Sequence, residues 1–563
     1  MKNMTIALVK ISCMNDRLIP LGLTCLQAYL KKNNTEVKVF NFRTSEYTLP
    51  KVASDPLIQL KPPVFIMNHQ DFPLLIPIVD SIRNNREVNL NQGIFYEIIR
   101  DYSERLGESA LETLERFESI IKYIRNIIPE IISNYSIVGF SVNYLSIPET
   151  VIASAIIKKL NPDIQVIWGG PSITQSQEAF KIFLRKRVCD GLVIGEGEAP
   201  LLEIARKLDL KSIKGVMSID ESDNFHYVPG IQLDLDSLPT PDYTDIPLDT
   251  YFQIASVYRS RGCSHRCKFC AEWKLFGPRF RVRSIENIIK DIEIIIDKHN
   301  PQYMIFGESL VNDDLSYFEQ LCDAMQEKHF DMKFGTHFRA NITPKLARKA
   351  YLAGFNDAWV GFEAFSDEDL KQMNKGTNVH QNITTIKNLT KAGVNVIAML
   401  VVGFSNLQEE EKNCENILKI IEYFSNERCK VEEGKERPLS IQWRPAPMYL
   451  VPGSFDYKEK VSSQTCPWKS KITNSADEKS IKLLESELSC IPYEFKRPIT
   501  DEMVGSFMRK IQIADRNSKF AIGGLAKHII NYLVISRKKT RNRKRIERVG
   551  IIAQRFNKEI LQT

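Results

Sequence analysis

Residues 261–273 read RGCSHRCKFCAEW, and the use made of the thiols at Cys263, Cys267 and Cys270 decides what the rest of the chain must build around them. The spacing is C-x3-C-x2-C, directly after QIASVYR (253–259), which reads as a strand. Thiolates suit zinc and iron-sulfur clusters. A structural zinc wants four protein ligands, usually as two pairs separated by a loop. His265 sits inside this loop, where coordination beside Cys263 would be cramped. Attachment of a c-type haem needs His directly after C-x-x-C, and Ala271 stands there instead. Three ligands from one loop would leave one iron of a [4Fe-4S] cube open, and an open iron can bind a small molecule.

Downstream, the punctuation is that of repeated βα units. Ser284 is placed to cap the helix IENIIKDIEIIIDKH, and the strand QYMIF follows. Thr343 and Pro344 take the cap and first positions of a helix that Gly354 would stop. DAWVGFEAF then reads as a strand, Ser366 opens a helix, Gly393 ends the next, and VNVIAMLVVGF and LSIQWRP are strands. Six strands with helices between them predict a full or partial barrel over residues 251–455. Residues 456–563 read as a mixed C-terminal region, periodic again at VGSFMRKIQIADRNS.

Upstream, MTIALVK, LIPLGLTCLQAYLKKN and EVKVFNF read strand, helix, strand, and the alternation resumes at SIVGFSV (136–142). IQVIWGG and DGLVIGEGEAPLLEIARKL continue it. Doubly apolar strands alternating with helices predict a parallel, helix-covered, Rossmann-like sheet over residues 1–227. Residues 45–133 read as an insertion whose second part has helical spacing from Phe117 to Ile132, with Pro129 expected to kink or divide that helix. The proline-rich stretch 228–250 reads as a linker.

The chain has 563 residues, enough for several domains, with 43% apolar and 26% charged residues, ordinary values for a globular protein. No apolar run reaches membrane-spanning length and no signal peptide is evident, so a cytoplasmic setting is expected. The other eight of the 11 cysteines are scattered and do not read as a disulfide framework. The net charge of +7 is concentrated at 537–548, RKKTRNRKRIER. That run could grip phosphates; a solvated terminal segment is the plainer reading, and nucleic acid is not an expected partner.

The C-x3-C-x2-C loop after the first strand of a βα repeat resembles the signature of the radical S-adenosylmethionine (SAM) superfamily, whose fold is a full or partial (β/α)6 barrel. The resemblance implies that Cys263, Cys267 and Cys270 hold a [4Fe-4S] cluster and that Phe269 lies by the adenine of SAM. FGES (306–309) is similar to the family's GGE segment, with Gly307 and Glu308 toward the methionine amino group. VGFEAFSDEDLKQMNKG resembles the family's ESGS segment, retaining Glu363 and Ser366 while its central small residues differ. Val402 in VVGF matches the apolar strand end near adenine, and Arg339 in HFRAN is suited to the SAM carboxylate.

The amino-terminal third has no G-x-G-x-x-G after its first strand, which disfavours a nicotinamide cofactor. It resembles the cobalamin-binding domain of B12-dependent radical SAM enzymes, over roughly 1–42 and 134–225. By that resemblance Ser141, Asn143, Gly169, Gly170, Glu196, Gly197 and Glu198 line the corrin and its nucleotide tail. The D-x-H-x-x-G motif that supplies a cobalt ligand in other cobalamin proteins is absent.

The family resemblance implies reductive cleavage of SAM to a 5'-deoxyadenosyl radical, hydrogen abstraction from carbon, and transfer of a methyl group from methylcobalamin to an unactivated carbon. The substrate would be a peptide or small natural product, and the electrons would come from a flavodoxin- or ferredoxin-type donor. Cobalamin-assisted cyclisation or ring rearrangement is the alternative within the family. A methylthiotransferase would need a second cysteine trio in the first domain, and Cys13, Cys25 and Cys189 lack that spacing. From another class, a non-catalytic iron-sulfur protein using its basic stretch on nucleic acid remains open.

Overall fold

The structure, a computed structural model, describes residues 4–12, 19–43, 74–85, 99–100, 102–103, 109–206, 209–277, 279–430, 436–451, 453–461 and 499–518. Cys13, Cys466, Cys490, most of 45–108 and the basic stretch 537–548 lie outside the described residues. The chain divides into two compact units: Met1–Pro247 with Lys268–Arg279 and Tyr449–Lys496, and Leu248–Cys267 with Phe280–Met448 and Arg497–Thr563. Among the described residues no helix is long and apolar enough to cross a membrane.

The first unit opens with β1 (Ile6–Ser12), α1 (Leu21–Lys32) and β2 (Val37–Arg43), followed by α2 (Leu75–Asn84) and α3 (Ala110–Ile132). Then come β3 (Ile137–Ser141), α4 (Ile147–Leu160), β4 (Gln165–Gly169), α5 (Pro171–Arg185), β5 (Gly191–Val193), α6 (Glu198–Ala205), β6 (Val216–Ile219) and β7 (Phe225–Tyr227). The sheet order is β2-β1-β3-β4-β5-β6-β7. The first five strands are parallel, and β6 and β7 run antiparallel to their neighbours. The order reverses between β1 and β3, the place where open α/β sheets take ligands beyond their carboxyl ends.

α4 is buried along nearly its whole length, from Ile147 to Ile157. Its sequence is apolar on all sides because α2 and α3 cover the face that the sheet does not. Ile78, Ile82, Ile124, Ile128 and Ile131 belong to the same core as Val138, Val151 and Trp168, so these helices of the 45–133 stretch are part of the domain interior. α3 starts at a capping box formed by Ser109 and Glu112 and continues through Pro129 to Ile132, so the helix is not divided there. Pro129 falls near the carboxyl end, where one lost backbone bond is tolerated by a helix whose packed face is already buried. The 228–250 segment is tied to this unit: Asp242 pairs with Lys31 at 2.8 Å, and Asp245 accepts from Val39 N at 3.0 Å and from Gln27.

The second unit is a six-stranded parallel sheet. Its elements are β8 (Ile254–Val257), β9 (Ser260–Arg261), β10 (Arg281–Val282), α8 (Ile285–His299), β11 (Tyr303–Phe306), α9 (Leu315–Glu327) and β12 (Phe334–Phe338), with the short α7 (Glu272–Leu275) between β9 and β10 belonging to the first unit. They continue as α10 (Pro344–Leu352), β13 (Phe355–Glu363), α11 (Asp367–Gln372), α12 (Val379–Ala392), β14 (Asn395–Val402), α13 (Leu407–Asn426), the small antiparallel pair β15 (Arg428–Lys430) and β16 (Glu436–Pro438), and β17 (Ile441–Pro447). The order β8-β11-β12-β13-β14-β17 follows the chain, as repeated βα units require in a partial barrel.

Side-chain alternation gives the sheet two faces. Phe306, Phe334 and Phe355 pack as one aromatic cluster with Phe318 of α9 on the helix-covered face. The opposite, inward face carries Gly335, His337, Trp359, Gly361, Ile397, Met399, Gln442 and Arg444 in register across four strands. After α14 (Phe455–Val461), the described chain resumes with α15 (Asp501–Asn517). α15 covers the β17 edge, and Asp515 accepts a hydrogen bond from Trp443 N at 3.2 Å. An otherwise unpaired strand edge is thereby satisfied.

Candidate active site

The cysteine loop begins and ends on the β9–β10 pair, in which Arg261 lies opposite Arg281. Gly262 takes φ 91° at the turn into it. Cys263, Cys267 and Cys270 are in no disulfide, Cys267 buried and the other two half-buried. The first half of the loop is pinned within the second unit. Ser264 Oγ donates to Asp313 Oδ1 at 2.7 Å, His265 Nε2 lies 3.2 Å from the same oxygen, and Asn374 donates to the Arg266 carbonyl at 2.8 Å. Burial raises the Asp313 pKa, and the hydrogen bonds from His265 and Ser264 outweigh it and bring the carboxyl below its usual range. His265 is thus directed to a carboxylate.

The second half belongs to the first unit. The Glu272 amide faces Cys270 Sγ at 3.5 Å, Lys274 Nζ donates to the Gln175 carbonyl at 2.8 Å, and Trp273 stacks on Phe455 at 4.8 Å between centroids. Among the described residues no three His, Cys, Asp or Glu side chains are already gathered as a cation site. The donor chemistry nevertheless fits an iron-sulfur cluster: three thiols on one anchored loop, with no disulfide among them.

Glu308, directly after β11, is the most constrained of the predicted site residues. Its Oε1 accepts from Arg259 Nε at 3.0 Å, and its Oε2 accepts from Ser260 Oγ at 2.6 Å and Arg259 N at 3.2 Å. Arg259 also donates to the Leu310 carbonyl at 2.7 Å, and its guanidinium lies over the rings of Tyr317 and Phe280. These contacts join the strand end that launches the cysteine loop to the end of β11. Gly307, beside Glu308, is exposed and donates its amide to the Val257 carbonyl at 2.7 Å.

Glu363 ends β13 with φ 64°, rare for a residue with a side chain, and pairs with Lys375 Nζ at 2.8 Å. The pair rests over Gly361, where an added Cβ would come within 2.5 Å of Glu363 Oε1. Arg339 is 7% exposed and lies beside Gly376, with no carboxylate partner among the described residues. Asn312 holds its backbone, accepting from Arg339 N at 2.8 Å. A shielded guanidinium without a counter-ion suits an anionic group of a ligand.

Ser366 caps α11 by accepting from Asp369 N at 3.3 Å. Ser405 donates to Asp369 Oδ1, and its amide points at Glu410 Oε2 at 3.5 Å, so the loops after β13 and β14 are tied together. Burial, with the Asp369 carboxyl nearby, pushes Glu410 up to about 7; burial also raises Asp369. Val402 has its side chain on the helix-covered face, leaving its backbone and Gly403 as what this strand end can offer inward. Phe269 is half-buried.

In the first unit, the carboxyl ends of β3, β4 and β5 stand side by side. Gly170 (φ 106°) approaches Val142 so closely that a Cβ would meet Val142 O at 2.8 Å. Asn143 accepts from Leu145 N at 2.9 Å and shapes its own turn, leaving Tyr144 exposed. Ser141, Gly169, Glu196 and Gly197 are half-exposed along this crest, and Glu198 is buried. Gly195 (φ 89°) has open space where a side chain would be. Sequence reading missed Lys375, Arg259, Asp313 and Asn312, since each acts through partners far away in the chain.

Residues 257–417 match the Radical SAM superfamily. The chain therefore carries a radical SAM domain, the class that uses a [4Fe-4S] cluster and SAM. Its described fold is that of the cobalamin-dependent members of the class. It is similar to cobalamin-dependent radical SAM enzyme OxsB with aqua-cobalamin bound, at TM-score 0.59 and 16% identity over 100% of this chain and 72% of that one. It is also similar to the radical SAM methyltransferase TsrM from Kitasatospora setae, at TM-score 0.52 and 13% identity over 82% and 75%. An uncharacterized methyltransferase of Pyrococcus horikoshii, PH0819, is 25% identical over 52% of this chain and 65% of its own length. The anaerobic magnesium-protoporphyrin IX monomethyl ester cyclase of Rubrivivax gelatinosus is 25% identical over 45% and 48%. The matches to these last two relatives thus span less than two thirds of their length.

Proposed function

We propose that this chain is a cobalamin-dependent radical SAM enzyme that transfers a methyl group to an unactivated carbon of a peptide or small natural-product substrate. The observation that carries the reading is the presence, in one chain, of a three-thiol loop on a radical SAM domain and a β2-β1-β3-β4-β5 sheet with a glycine-rich crest. When bound, the cluster, SAM and cobalamin supply the electron, the radical and the methyl group.

In this reading Cys263, Cys267 and Cys270 hold the cluster. Arg339 receives the SAM carboxylate, while Phe269, Gly307, Glu308, Glu363, Ser366 and the Val402 strand end surround the rest of SAM. Glu308 does so from a position fixed by Arg259, and Glu363 from one fixed by Lys375. Ser141, Asn143, Gly169, Gly170, Glu196, Gly197 and Glu198 form the cobalamin surface. The domains are 1–227 for cobalamin, 228–250 as linker, 251–455 as barrel and 456–563 as C-terminal region. A cytoplasmic flavodoxin or ferredoxin would supply electrons. The Rubrivivax relative favours a second reading, cobalamin-assisted ring closure.

The test is anaerobic reconstitution with iron, sulfide, cobalamin and a low-potential reductant, followed by assay for 5'-deoxyadenosine from SAM. With deuterium-labelled SAM methyl and candidate peptides or metabolites, product mass separates the readings. A methyl replacing hydrogen adds about 14 Da before labelling, whereas ring closure adds none.

A further inference from the structure

The inward face of the barrel has a polar floor that satisfies itself. Tyr303 donates to Asp357 Oδ2 at 2.5 Å, and Asn395 donates to Asp357 Oδ1 at 3.3 Å. Nearer the carboxyl ends, Glu363 is taken by Lys375, and Arg444 donates to Gln442 at 2.8 Å. Between these layers lies His337. It is in register with Trp359, and their rings are 5.6 Å apart.

Nδ1 of His337 is shielded from water and has no hydrogen-bond partner. Burial lowers the imidazole pKa against the opposing effect of the Glu308 backbone and so favours the neutral ring; a neutral ring keeps one nitrogen as an acceptor, and the unpartnered Nδ1 is suited to that role. A shielded acceptor of this kind is costly unless something donates to it. On the same inward face Trp359, level with His337, is half-buried, and Met399, opposite Gly361 on the next strand, is 36% exposed. The wall is therefore apolar and aromatic, with one unused acceptor set into it.

We propose that His337 is a specificity-determining residue. Its Nδ1 accepts a hydrogen bond from an O–H or N–H group of the substrate, whose apolar or aromatic body lies on Trp359 and Met399. This rests on the reading above that the chain is a radical SAM enzyme acting on a peptide or small natural product, and places that substrate against the inward face of the barrel. A compound that fills the same space without a donor leaves Nδ1 unpaired and binds on the order of tenfold more weakly.

Phenol and anisole, alike in ring and differing in the O–H, are suitable probes for equilibrium dialysis against the anaerobic holoprotein with SAM. The expected result is about a tenfold preference for phenol in the wild type. His337→Phe should abolish the preference while retaining anisole, and His337→Gln, whose side-chain oxygen can accept, should restore part of it. Trp359→Ala should weaken both probes. Equal binding of phenol and anisole by the wild type, binding of neither, or a preference that survives His337→Phe would overturn the proposal. Formation of 5'-deoxyadenosine is measured on the same samples. Its absence from the wild type counts against the radical SAM reading, whereas intact cleavage with no probe preference counts against His337 alone.

Discussion

Arg259 Nε donates to Glu308 Oε1 at 3.0 Å with both side chains fully shielded from solvent. Removing one member of a buried pair leaves the other charged and unsatisfied, a loss of about 3–5 kcal/mol. Glu308→Ala is therefore expected to lower stability by that order in urea denaturation, and to reduce iron and sulfide content, because the strand end preceding Cys263 loses its tether. Arg259→Ala should behave alike, and the double variant should lose much less than the sum of the two.

Cys263→Ser, Cys267→Ser and Cys270→Ser should each remove the iron-sulfur absorbance of the reconstituted protein while leaving its far-ultraviolet circular dichroism unchanged. Cys322→Ser is the control. That thiol is buried against α9's core, where burial pushes its pKa far up, and the variant should keep the cluster.

Arg339→Gln should weaken SAM binding by about tenfold to a hundredfold, the range for losing a charge-assisted hydrogen bond, with the cluster content unaffected. Anaerobic equilibrium dialysis with labelled SAM measures it. Lys375→Met should perturb SAM binding through Glu363, which would then be left without its cation on a left-handed backbone.

Gly170 and Gly195 both have positive φ, but only Gly170 is pressed against backbone, at Val142. Gly195→Ala should cost about 1–2 kcal/mol, the strain of the left-handed region alone. Gly170→Ala should cost more and disturb the β3–β4 crest, so cobalamin affinity, followed by absorbance titration, should fall further in it than in Gly195→Ala.

Glu410 has its folded pKa raised to about 7, first by burial and then by Asp369. The folded state therefore binds its proton more tightly than the unfolded state, whose carboxyl titrates near the ordinary glutamate value of 4.5. Stability contributed by this proton is complete below the unfolded value and declines as pH rises through about 7. Glu410→Gln should flatten the pH dependence of urea unfolding over that window and be the more stable form at alkaline pH.

The βα rhythm was open to reading because its punctuation is local. Ser284, Thr343 and Ser366 do cap their helices, and Gly393 does end one in the left-handed region. The cysteine spacing was equally legible, since three ligands on one loop need no tertiary knowledge. Pro129 does not divide α3, because its cost depends on packing and the helix is held by a buried face that the proline does not interrupt. The partners of Glu308 and Glu363 were invisible for a different reason. Arg259 is separated from Glu308 by a complete βα unit, and Lys375 reaches Glu363 only because Gly361 leaves room. His337 offered no signal, as the alternation FGTHF places it on one face or the other only once the sheet is known.

The order of strands in the two sheets differs in a way that matters on the ribosome. In the barrel, β11, β12, β13, β14 and β17 each dock beside a strand already synthesised, so every new repeat finds a template waiting. In the amino-terminal sheet β1 finds β2 on one side after a single helix, while its other edge waits for β3, with α2 and α3 emerging first. One edge of β1 thus stays open through the synthesis of far more chain than any barrel strand needs before its partner arrives.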